Sequence, residues 1–124
     1  MVDIREEVAK GRIYARLVIE ILGGPKEHIE KTMALVVKTL KEQDGVNVLK
    51  EKTAEAIEQG QLFSVYTEVE AIFKDFDTII GVCFDYMPSS IEIIEPSDFR
   101  TKSLDMSNLF NDLLARMHEV DMRL

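Results

Sequence analysis

One cysteine, two histidines and no tryptophan occur in 124 residues, and each scarcity removes a class of answer. With only Cys83, no disulfide forms within the chain and a cysteine-based zinc site in one copy is not expected. His28 and His118 fall in different segments, and neither lies in an H-E-x-x-H or Cys-His spacing that would link it to a metal or a nucleophile. No metal and no cofactor is therefore expected. No apolar run approaches the roughly 18 residues a membrane span needs, and Met1 to Lys10 is charged where a signal peptide would be apolar. The expectation is a cytoplasmic protein without a membrane partner. Basic residues are few as well: 15 Lys and Arg against 23 Asp and Glu give a formal charge of −8. Affinity for a phosphate backbone comes largely from clustered Lys and Arg, so nucleic acid is not an expected partner.

What is present suffices for one folded unit. The chain is 46% hydrophobic and 31% charged, the balance of a globular domain rather than a disordered one. Its most telling property is the order in which hydrophobic periods change. From Arg12 to Leu22 the residues alternate, with Ile13, Ala15, Leu17, Ile19 and Ile21 on one face and Tyr14, Arg16, Val18, Glu20 and Leu22 on the other. Gly23-Gly24-Pro25 ends that strand and opens a helix whose apolar stripe is Ile29, Met33, Val36, Val37 and Leu40. Asp44-Gly45 closes the helix, and a strand from about Val46 to Lys52 follows.

Thr53 to Gln61 shows no period and is consistent with a loop, a helical turn or a bulged continuation of the strand. Leu62 to Phe73 alternates again: Phe63, Val65, Thr67, Val69, Ala71 and Phe73 face one way, Leu62, Ser64, Tyr66, Glu68, Glu70 and Ile72 the other. Asp75 is placed to cap a second helix with the stripe Phe76, Ile79, Ile80, Cys83, Phe84 and Met87, ended by Pro88. Ser90 to Glu95 makes a short last strand. A final helix, with Asp105 or Ser107 as N-cap, carries Met106, Phe110, Leu113, Met117, Val120 and Leu124 at spacings of 4, 3, 4, 3 and 4, a heptad seam.

The predicted architecture is α+β: a βαββαβ antiparallel sheet over residues 12–96, an added C-terminal amphipathic helix at 97–124 in the same structural unit, and a tail or short helix at 1–11. From Arg12 to Glu95 the order of elements resembles the ferredoxin-like fold, and within it is similar to ACT-type regulatory domains. That resemblance implies pairing through sheets and amino-acid binding near the loop after the first strand, where Gly23 and Gly24 stand with Pro25. The chain departs from the ACT pattern in having Gly23-Gly24-Pro25 for the usual Asp-x-Pro-Gly loop, and in its long terminal helix.

No catalytic constellation emerges. Asp75, Asp77, Asp85, Glu92 and Glu95 cluster in sequence around the second helix and last strand, but their spacing identifies neither a metal site nor an acid/base dyad. Cys83 lies on an apolar stripe and reads as a small hydrophobe. The strongest clue is the sheet face turned from the helices, where Tyr14, Val18, Leu22, Tyr66, Ile72 and Ile94 would collect. Monomers rarely expose so much apolar surface, so the face should be covered by the last helix or by another copy. The expected function is a non-enzymatic, homo-oligomeric binding or scaffold domain. Tyr14, Val18, Tyr66, Ile94, Phe110, Leu113, Met117, Val120 and Leu124 would carry assembly. Two alternatives are an ACT-like sensor of an amino acid or small anion at Gly23-Gly24, and a small enzyme with an acidic site between subunits using Asp85 or Glu92 with Tyr86 or Ser89.

Overall fold

A computed structural model describes residues 1–123; Leu124, the last residue of the heptad seam, lies outside them. The elements run α1 (Ile4–Ala9), β1 (Ile13–Gly23), α2 (Lys26–Glu42), β2 (Val46–Thr53), β3 (Ile57–Gln59), β4 (Leu62–Phe73), α3 (Phe76–Tyr86), β5 (Ser90–Glu95) and α4 (Ser103–Arg123). The strands form one antiparallel sheet in the order β2-β4-β1-β5, with β3 added beside β4. This is the ferredoxin-like strand order with a short extra strand and a terminal helix.

The two clean alternations become the central strands. Ile13 pairs with Phe73, Ala15 with Ala71, Leu17 with Val69, Ile19 with Thr67 and Ile21 with Val65, so the predicted inward residues of both strands meet across one ladder. Against them α2 buries Ile29, Met33, Val37 and Leu40 at spacings of four, four and three. Phe73, Leu17 and Val69 are among the fully buried side chains at the centre of this core. One polar group joins them: the Thr67 hydroxyl is satisfied by Thr53 at 2.8 Å across the β2-β4 pair.

The second helix differs in detail from the sequence reading. Asp75 caps it, its carboxylate accepting from the Thr78 N–H at 2.8 Å. Ile79 and Val82 are buried, with Phe76, Cys83 and Tyr86 packed against the core. Met87 does not belong to that stripe: it is exposed and left-handed (φ 48°) at the C-cap, where Pro88 bars continuation of the helix.

Thr53 to Gln61 resolves as the end of β2, a short connection and β3. Gln59 faces Leu62 across a two-residue loop, Gly60-Gln61, and Gly60 has φ +63°. A glycine at the first central position suits a two-residue hairpin because its positive φ matches the twist of the strands. The last helix starts at Ser103, before either predicted cap. Its contacts are with α3, on the helix side of the sheet, so the open sheet face is not where it docks.

Candidate functional site

Cross-strand register decides what the open sheet face is made of. At its middle Tyr14, Arg16 and Val18 on β1 stand opposite Ile72, Glu70 and Glu68 on β4, and Arg16 also stands opposite Glu92 on β5. The Tyr14 hydroxyl donates to the Glu70 carboxylate. Arg16 reaches Glu70 at 3.4 Å and Glu92 at 3.6 Å. Hydrogen bonding to that carboxylate, helped by burial, holds the Tyr14 phenol above the ordinary tyrosine range, and the same bond draws Glu70 below the ordinary carboxylate range. The centre of the face is thus a polar lattice in which Tyr14 and Val18 are half-buried, not a continuous apolar patch.

At one end of this face the chain supplies its own cover. Ile72 is only 3% exposed although it points away from α2 and α3. Glu7 of α1 shares a cleft with Asn47 and Ile72, and Val8 and Ala9 share another with Ile94 and Pro96. The half-buried Ile94 belongs to this same corner. Asp3 caps α1 through the Glu6 N–H at 3.2 Å, and Glu7 pairs with Arg12 at 2.8 Å. Neither the last helix nor another copy is needed there.

The opposite end stays open. Ile57 and Leu22 both face Ser64 across their ladders, and Leu62 and Tyr66 flank it along β4. All four surrounding side chains are exposed, whereas Ser64 between them is buried. Tyr66 and Leu22 were legible as outward residues; Ile57 was hidden in the segment without a period, and the Gly60-Gln61 turn was the signal that could have revealed it.

The second apolar surface is on α4. Met106, Leu109, Leu113 and Arg116 turn toward α3 and are half-buried, so Leu113 serves packing within the chain. Phe110, Leu114, Met117 and Val120 are left 56%, 51%, 52% and 41% exposed. Between the two helices Asp77, Asp112 and Arg116 share a polar cleft. Burial first, then the Asp112 and Asp75 carboxylates, raise Asp77 above the usual aspartate range.

Gly23-Gly24-Pro25 joins β1 to α2 at the open end. A side chain at Gly24 would meet nothing within 4 Å, Pro25 offers no side-chain cap, and Lys26 pairs with Glu55 at 3.5 Å. The acids and hydroxyls of the enzymatic alternative are drawn to separate partners. Tyr86 donates to Gln43 at 3.1 Å, Ser89 to the Val18 carbonyl at 3.2 Å, and Glu92 binds Arg16, while Asp85 is exposed. Cys83 is half-buried, and burial pushes its thiol up; His28 and His118 are exposed on α2 and α4. Among the described residues no three His, Cys, Asp or Glu side chains are placed to hold a metal ion. No helix among them is long and apolar enough to cross a membrane.

Neither the curated proteins nor the solved structures contain a match to this chain. One family model does match, over residues 14–122, from the first strand of the sheet to the end of the terminal helix, and it is not an ACT model. The chain belongs to the MJ0538 family.

Proposed function

We propose that the protein is a cytoplasmic, non-enzymatic binding or scaffold domain that works as a homo-oligomer, a dimer or larger. The observation that carries this reading is the pair of apolar surfaces the fold leaves uncovered, Phe110, Leu114, Met117 and Val120 on α4 and Leu22, Ile57, Leu62 and Tyr66 on the sheet. Covering such surface contributes roughly 25 cal/mol per Å², against an association cost of about 4–15 kcal/mol, so one small patch gives weak pairing and two together give stable assembly. Met117 is the residue to probe, because it is exposed and its loss leaves the core intact. Met117→Asp is expected to lower the mass measured by light scattering without changing the circular dichroism spectrum; a variant that kept the parent mass would contradict the role given to this surface.

A second reading, an ACT-like sensor of an amino acid or small anion, has in its favour the open space beside Gly24 and the absence of a side-chain cap on α2. A ligand at 100 times its dissociation constant stabilises by about 2.7 kcal/mol, so thermal melts with each amino acid and with phosphate test it directly. A shift abolished by Gly24→Val supports the sensor; no shift with any of them counts against it.

A further inference from the structure

The uncovered side of α4 combines three properties. At 100° per residue, Ser107, Phe110, Leu114, Met117 and Asp121 fall on one side of the helix, away from Leu109, Leu113 and Arg116, which turn to α3. All five are exposed. Asp105, Asp112 and Glu119 fall outside this strip, so in a chain that is 31% charged Asp121 is the single charged group along it. Depletion of charge around large apolar side chains is the composition of an interface core.

We infer that this strip pairs with the same strip of a second copy, the two α4 helices running antiparallel and crossing at Leu114. The inference rests on the homo-oligomeric reading and names the contact. Two copies each carrying −8 repel over most of their surface, and this strip, with a single charged group, is where they approach at least cost. The strip also offers a strongly charged partner no group to pair with except Asp121. The strip residues Ser107, Phe110, Leu114, Met117 and Asp121 recur at 3, 4, 3 and 4, the heptad spacing of a helix-pairing seam, and a second copy supplies a helix of the same spacing. Charge also selects direction. A parallel pair sets Asp121 beside Asp121 of the partner subunit, whereas an antiparallel pair centred on Leu114 sets it against Ser107 of the partner subunit, seven residues to the other side of the centre. The helix dipoles then oppose each other as well.

Single cysteines in a Cys83→Ser background read this geometry in the full chain, joined by a short bis-maleimide. Leu114→Cys lies at the crossing and is expected to give a covalent dimer. Phe110→Cys lies about 12 Å along the axis from its copy, and roughly ten-fold less product is expected from it. A mixture of Asn111→Cys and Met117→Cys proteins is expected to give the heterodimer, which keeps the test alive if Leu114→Cys does not fold. Phe110→Cys and Met117→Cys joining to themselves as readily as Leu114→Cys would overturn the antiparallel arrangement. An oligomer by light scattering with no product from any α4 cysteine would overturn the inference and leave the homo-oligomeric reading standing; a monomer at every concentration would overturn both.

Discussion

Tyr14, Glu70 and Arg16 show how single side chains decide what a sheet face is for. The Tyr14 hydroxyl binds a carboxylate that is itself held by Arg16, so the outward tyrosine is anchored within its own chain. Because Glu70 is drawn below its ordinary range by that bond, its contribution is present above the unfolded-state value near 4.3 and is lost as pH falls through the lower folded value. Tyr14, raised, contributes below about 10 and loses that contribution as pH rises through its folded value. Tyr14→Phe is therefore expected to destabilise by about 1 kcal/mol at pH 7, with most of the difference from the parent gone in acid melts; equal losses at pH 7 and at pH 3 would contradict it. Met87 is the opposite case, an exposed residue in a left-handed conformation that disfavours any side chain. Met87→Gly should raise stability by about 1 kcal/mol in urea titration, and a lower midpoint would show that the side chain has a role at the cap.

Among the elements, what was legible and what was not follows from length and from register. β1 and β4 each alternate over eleven residues or more, and α2 keeps one stripe for about three turns, so their periods could be read directly. β3 has three residues, too few to show a period, and only its glycine turn marks it. α1 was seen as a helical turn, but its position over Ile72 and Ile94 depends on tertiary packing that no local pattern encodes. The heptad seam was visible along the last helix, yet which half of it faces α3 depends on a neighbour distant in sequence. The contact between those helices carries its own prediction. Asp77, raised by burial and by Asp112, favours the folded state when protonated, a benefit lost as pH rises through its folded value, so it opposes folding at neutral pH. Asp77→Asn is expected to raise the melting temperature at pH 7 by no more than about 2 °C, since the site is exposed to solvent, and to change nothing at pH 3. A drop at pH 7 would mean that the Arg116 attraction outweighs the acidic repulsion.

For the whole molecule, the core and the surface give separate measurements. Phe73 is fully buried between Ile13 and Val46 in the sheet, and Phe73→Ala is expected to cost about 3–5 kcal/mol, enough to unfold much of a marginally stable domain at 37 °C. The surface effect has no such cost for the fold: a core of this size closes within one chain, and α4's outer side and the sheet corner around Ser64 stay open. Outward apolar residues were legible in the sequence, but the candidate surfaces lie elsewhere than expected, because an ion-paired lattice occupies the middle of the sheet and α1 covers one end. The most direct measurement is the mass in solution, by light scattering across a dilution series at physiological salt. A mass at an integer multiple of 14.2 kDa, falling toward 14.2 kDa on dilution or on Met117→Asp substitution, is the predicted result. A mass of 14.2 kDa at every concentration would contradict the account.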